Sequence, residues 1–343
     1  MAKPTTAQAR AMRVFVAKGS KAEKICRAYA GRPGHPVQPE ARAPGLPSTP
    51  AHDLVDRGGK IIPDLVFTNF YVGGKNAWKA ADIQNVDKAL AAAMADRNLN
   101  NVMVQYFRGR SQITSTFRPS QVLDGAPPAT FSQQDLEDLV TRLQNDGGLQ
   151  GFDLGSTLFN FMLPPGTVLT VDDGDGEMAP GRARQQKPHD AVIPVEDEAS
   201  SLEGLGGFHG SVLVGTTVYY AVGVFSDKLP NGRTNGIPVF DKPWKNVVAT
   251  FYHELNEART DPDVEEANKQ GDESLIGWTS NQGEEVGDFP VFEANPLTKV
   301  FKEVELTDGS GTVPVQFQYS NAVHGPEGPI PAPHPVAHHA HHG

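Results

Sequence analysis

The chain has 343 residues, 38% of them hydrophobic, and a formal net charge of −11. That length and apolar content suffice for one large or two modest folded domains, while the acidic balance and the lack of a Lys/Arg cluster in the globular part argue against a nucleic-acid partner. Cys26 is the single cysteine, which excludes an intrachain disulfide and leaves packing, hydrogen bonds or a metal to hold the fold.

Residues 1–57 read as a Pro-rich N-terminal arm. The first 30 residues have room for a short amphipathic helix but lack the continuous apolar stretch of a secretory signal, and GRPGHPVQPEARAPGLPSTPAH is too rich in proline and polar residues to bury a core. No later segment approaches the roughly 20 apolar residues of a membrane helix, so the expectation is no membrane span and cytoplasmic residence by default.

Residues 58–321 read as one α/β domain. IIPDLVFTNFYVGG (61–74) predicts a strand, residues 80–99 a helix, and NVMVQYF (101–107) a second strand. FSQQDLEDLVTRLQNDGG predicts a helix with Ser132 as N-cap, Asp135 at the third helical position and a Gly-Gly stop. TLFNFML (157–163) and TVLTVDD (167–173) follow as adjacent strands, then a surface excursion over 174–204. Within it DDGDGE spaces oxygen ligands but lacks the glycine and the closing Glu of a calcium loop, so it reads as a flexible acidic loop. HGSVLVGTTVYYAVGVF (209–225) adds a turn and a strong β run, and KNVVATFYHELNEARTDP (245–262) a helix. The alternation predicts a central mixed sheet flanked by helices, with extended arms at both ends. Residues 322–343 form the Pro/His-rich C-terminal arm, whose HPVAHHAHHG is a loose metal-binding feature or a purification remnant.

The helix over 245–262 carries the chemistry. At 100 degrees per residue Val247, Val248, Phe251, Tyr252, Leu255 and Ala258 form one apolar stripe, and His253, Glu257 and Asp261 group on the opposite side. Residues four apart are neighbours, so the His253 imidazole and the Glu257 carboxylate can reach one ion. Zinc accepts such nitrogen and oxygen donors and needs a third ligand; Asp261 and His209 compete for that place. Glu254 sits where the general base of an H-E-x-x-H metalloprotease sits. Glu285 and Asp288, in the turn-like GEEVGD, are expected behind the ligands as hydrogen-bonding supports. A solvated polar face ending at Pro262 is the plain alternative.

HELNEARTDP followed by GWTSNQGEEVGD (277–288) resembles the paired signature of the EXORDIUM or phosphate-induced protein family, a helix of the type S-H-E-x-x-E-A-x-T-D-P followed by G-W-x-x-x-x-G-x-E-I-x-D. GGFHGSVLVGTTVYYAVG (206–223) and GGKIIPDLVFTNFYVGG with Trp78 are similar to its other segments, so the likeness covers residues 58–290. The chain departs from plant members in lacking their signal and cysteines, and in placing Tyr252 before the His. The resemblance implies a zincin-like helix in a family linked to growth regulation, with extracellular location and cell-wall polymers as partners by analogy. The leading expectation is a zincin-like protein that is either a zinc-dependent hydrolase, with a peptide bond as the first substrate to try, or retains the site without activity. The alternatives are a self-assembling homo-oligomer whose arms contact neighbouring subunits and an inactive carbohydrate or cell-wall binding protein.

Overall fold

Val14, Phe15 and Val16 are β-branched or aromatic and buried, a composition that suits a pleated strand, and they form β1 (Val14–Val16), followed by helix α1 (Lys21–Ala30). The structure, a computed structural model, describes residues 14–30, 43, 45–172 and 198–334. After β2 (Leu54–Asp56), the strand predicted at 61–74 is β3 (Asp64–Tyr71).

The helix predicted over 80–99 is α2 (Ala80–Ala95). It stops because Asp96 leaves the helical region and caps a second helix, α3 (Arg97–Met103), its side chain accepting the Leu99 N–H. The chain then continues as a 3-10 turn to Tyr106, so NVMVQYF is helical and not the predicted strand. A short apolar run fits either state; the Asp96 cap decides this one. The parallel partner of β3 is instead β4 (Thr114–Val122), a largely exposed edge strand.

β5 (Thr130–Phe131) leads to α4 (Gln133–Asn145), whose capping box is the one predicted, with Ser132 Oγ accepting the Asp135 N–H and Asp135 accepting the Ser132 N–H. β6 (Thr157–Met162) and β7 (Val168–Asp172) form where predicted but are not neighbours. Pro164, Pro165 and Gly166, the last at φ 93, turn the chain away, and β7 pairs with β5 and β8 (Glu198–Ser200) in a separate small sheet. The acidic DDGDGE loop beyond Asp172 and most of the expected surface excursion lie outside the described residues.

β9 (Leu205–Val214) and β10 (Thr216–Gly223) make a hairpin at Gly215, and β11 (Asp227–Lys228) pairs with β12 (Thr234–Asn235) before the helix α5 (Pro243–Thr260). α6 (Val264–Gln270), β13 (Trp278–Ser280) and α7 (Asp288–Glu293) follow, then the hairpin of β14 (Phe301–Glu305) and β15 (Thr312–Gln316) and that of β16 (Gln318–Ser320) and β17 (Gly325–Glu327).

The six-stranded central sheet has the order β1-β9-β10-β6-β3-β4. β10, β6, β3 and β4 run parallel, while β9 is antiparallel to β10 and to β1, so the sheet is mixed and flanked by helices, as the sequence predicts. α2 and α5 pack on one face through Val86, Leu90, Val248, Phe251 and Leu255 against Phe67, Leu158 and Ala221. α4 packs on the other through Leu136, Leu139 and Val140 against Phe70, Phe159, Phe161 and Phe208. Alternation along β9 therefore sends Phe208 to the α4 side and His209 to the α5 side.

Both expected arms contribute to this domain. β1 is an edge strand of the central sheet, β2 pairs with β13, and the Ile330 backbone exchanges hydrogen bonds with Asn98 and Asn101 on α3. Residues 1–13 and 335–343 lie outside the described residues. No helix among the described residues is long and apolar enough to cross a membrane.

Candidate metal centre

α5 begins with Pro243, whose fixed φ suits a first helical turn, and its apolar stripe packs into the core beneath the sheet. The opposite face is not solvated. Every residue from Lys245 to Thr260 is buried, and His253, Glu254, Glu257 and Asp261 are each 0% exposed. The plain alternative of a polar helix face in water therefore does not describe this helix.

Four other elements close over that face. β9 brings His209, with Nδ1 3.2 Å from Glu254 Oε2 and 3.8 Å from Glu257 Oε2. The segment of residues 277–288 brings Glu285, whose Oε1 is 3.6 Å from His209 Nε2, and Asp288, whose Oδ2 accepts the Glu285 N–H at 2.9 Å. β15 brings Gln316, and β1 lays the Phe15 ring on the His253 imidazole, 4.3 Å between centroids.

Glycines make this approach possible. A Cβ on Gly287 would stand 2.3 Å from His253 Nδ1, and one on Gly207 would stand 2.5 Å from the Val222 carbonyl and 3.0 Å from Glu254 Oε1. The Gly287 N–H donates to Glu257 Oε1 at 3.0 Å, leaving Oε2 directed at the histidines.

The proton positions follow from Gln316. Its Nε2 donates to the Gly287 carbonyl at 2.6 Å, so its Oε1 faces His253 and accepts from Nδ1–H at 2.8 Å. His253 is thereby held as the Nδ1–H tautomer, and burial pushes its pKa down to about 4, so the ring is neutral at pH 7. Its bare Nε2 lies 3.0 Å from Glu257 Oε2, an acceptor facing an acceptor. No protein hydrogen bond among the described residues meets His253 Nε2, Glu257 Oε2, Asp261 Oδ2, Asp288 Oδ1 or either Glu285 oxygen.

Burial drives the carboxyls of Glu257, Asp261, Glu285 and Asp288 well above the ordinary range, and for Glu285 the negative neighbours Glu257, Asp261, Asp288 and Glu254 add to the shift. No Lys or Arg among the described residues pairs with these four. The nearby guanidinium of Arg259 is spent elsewhere, on the carbonyls of Ile62, Pro63 and Thr114.

Two sets of potential ligand atoms lie within 4.8 Å of one another: His209, Glu257 and Glu285, and His253, Glu257 and Asp288. Imidazole nitrogen with carboxylate oxygen is a donor set that suits zinc and its neighbours in the first transition row. His253 Nε2 with the oxygens of Glu257 and Asp288 could hold such an ion.

Of the residues singled out in the sequence, His253, Glu257 and His209 converge. Asp261 stands apart from both triads. Its backbone ends α5 with φ −149 and ψ 67, and its Oδ1 accepts the Gly277 N–H at 2.8 Å, so it ties the helix to the GW segment. Glu285 and Asp288, expected behind the ligands, offer oxygens within the triads themselves. Glu254 is fully buried, with Oε2 3.2 Å from His209 Nδ1. Gln316 and Phe15 went unread in the sequence. The only signal for Gln316 is a polar residue closing a strand, TVPVQ, that is otherwise apolar and buried at its end. Phe15 is 238 residues from His253 and carries no local signal.

No protein-family model, curated protein or solved structure matches this chain.

Proposed function

We propose that this chain is an EXORDIUM-like divalent-metal protein whose centre is built from His253, Glu257 and Asp288 with His209 and Glu285. The observation that carries the reading is the His253 Nε2, bare and fully buried, held 3.0 Å from a carboxylate oxygen by a tautomer that Gln316 dictates. Two acceptors at that separation repel unless a proton or a cation lies between them. Ion binding offsets the burial of both.

The two motifs behind the family resemblance support it by acting as one unit. Asp261 accepts from Gly277, Glu257 accepts from Gly287, and Glu285 and Asp288 complete the triads. Bound at these donors, zinc supplies Lewis acidity, the chemistry of hydrolysis. The chain's own contribution is to orient both imidazoles, exclude water and keep Glu254, the base of this reading, 3.2 Å from His209 Nδ1. A peptide bond is the first substrate to test. Burial of all five side chains of the centre favours tight retention of the ion over access by a bulky polymer.

The test uses the full chain with His338, His339, His341 and His342 replaced by Ala, so that tail histidines bind nothing. Equilibrium dialysis against zinc is expected to load the parent and to leave His253→Ala and Glu257→Gln empty while their circular dichroism stays that of the parent. A parent that retains no zinc after dialysis sinks the reading. Peptidase activity present in loaded parent and lost in Glu254→Gln supports hydrolysis; its absence from the loaded parent leaves a metal-binding protein without that reaction.

A further inference from the structure

We propose that the centre takes two divalent cations, one at His209, Glu257 and Glu285 and one at His253, Glu257 and Asp288, with Glu257 shared between them. This rests on the reading that the cluster binds metal at all, and it goes further in number and in the role of Glu257.

The geometry argues for two. A ligand atom stands about 2.0–2.2 Å from zinc, so two ligands of one ion are separated by at most about 4.4 Å. Within 4.8 Å the five residues fall into two triads and do not merge into a single set. One ion of this size therefore cannot gather all five where they stand. Each triad has the same make-up, one imidazole and two carboxylates, and Glu257 is the member common to both.

The hydrogen bonds around the triads agree. Each histidine has its Nδ1 engaged by a supporting group, Gln316 for His253 at 2.8 Å and Glu254 for His209 at 3.2 Å, and each sends Nε2 toward a carboxylate. Such supports are the ordinary partners of metal-ligating imidazoles. Glu257 has Oε1 occupied by the Gly287 N–H, and its remaining oxygen lies between the two imidazoles, 3.0 Å from His253 Nε2 and 3.8 Å from His209 Nδ1. Charge points the same way. Ionised Glu254, Glu257, Asp261, Glu285 and Asp288 place five negative charges in a dry interior, of which one dication offsets two and two offset four.

Zinc per chain, measured by plasma mass spectrometry after equilibrium dialysis of the full chain lacking the four tail histidines, is expected to be two. Glu285→Gln and Asp288→Asn, which keep side-chain volume, are each expected to retain one. The parent loaded with manganese is expected to give the electron paramagnetic resonance spectrum of an exchange-coupled pair. One zinc in the parent overturns the pairing yet leaves the metal reading standing; none overturns both. Two manganese ions with uncoupled spectra overturn the sharing of Glu257.

Discussion

Gln316 Oε1 lies 2.8 Å from His253 Nδ1, and the same amide donates to the Gly287 carbonyl at 2.6 Å. One side chain from a C-terminal hairpin thereby sets the tautomer of a histidine 63 residues away in sequence and ties it to the segment that carries Glu285 and Asp288. Removing such a support typically weakens metal affinity about 10–100-fold. Gln316→Leu is expected to do so with the fold intact, measured by competition with a chromophoric zinc chelator. Parental affinity in that variant would mean the imidazole is oriented by packing against Phe15 alone.

Gly287 is the second lever. An added Cβ there meets His253 Nδ1 at 2.3 Å, His253 Cε1 at 2.7 Å and Glu257 Oε1 at 3.0 Å, all in a fully packed interior. Gly287→Ala is expected to lower stability by about 1–3 kcal/mol, the range for overpacked sites, and to reduce zinc affinity as well. Urea unfolding of the metal-free forms reads the first effect and chelator competition the second. An unchanged urea midpoint would show that the segment yields freely, contrary to its packing.

The pH dependence should invert with metal. Without it, burial raises the carboxyls of Glu257, Asp261, Glu285 and Asp288, so the folded chain holds protons the unfolded chain has released. Their contribution to stability is complete below the unfolded carboxylate range and is lost as pH rises toward the folded values. His253 acts oppositely, because its pKa, lowered to about 4, costs stability as pH falls below its ordinary value. Four carboxyls outweigh one imidazole. The melting temperature in chelator is expected to fall between pH 5 and 8, and in excess zinc to rise over the same interval as protons stop competing for the ligands. Parallel slopes in the two conditions would contradict a metal centre at these residues.

Arg259 tests the scaffold apart from the site. Its guanidinium is fully buried, donates to the carbonyls of Pro63 at 2.7 Å and Thr114 at 3.1 Å, and stacks 5.0 Å from the Phe107 ring. Arg259→Met removes these two buried charge-assisted hydrogen bonds, each worth about 1.5–3 kcal/mol, while the Pro63 carbonyl keeps the Thr114 N–H at 3.0 Å. The variant is expected to lose stability in urea while any protein that remains folded binds zinc as the parent does. Loss of zinc binding in folded protein would place Arg259 in the site.

The sheet-and-helix architecture was legible because strands β3, β6 and β10 are apolar and because Ser132 and Asp135 form a local cap, whereas the glycines around His209 hid the reach of β9 back to Leu205. NVMVQYF was misread because an apolar run of that length has no period of its own and the cap that makes it helical lies outside it, at Asp96. His253 and Glu257 could be paired from their spacing on one helix. Asp261 shared that face by the same arithmetic, but the backbone turns at the residue before Pro262 and aims its carboxylate at Gly277 instead. The roles of Gln316 and Phe15 depend on contacts across 63 and 238 residues of chain, which no local pattern encodes.

The most direct measurement is anomalous diffraction at the zinc absorption edge from crystals of the full chain grown with zinc. The account predicts an anomalous peak bounded by His253 Nε2, Glu257 Oε2 and the Asp288 carboxylate. Diffraction that shows zinc at the tail histidines or on the surface, with no peak beside His253, would contradict it.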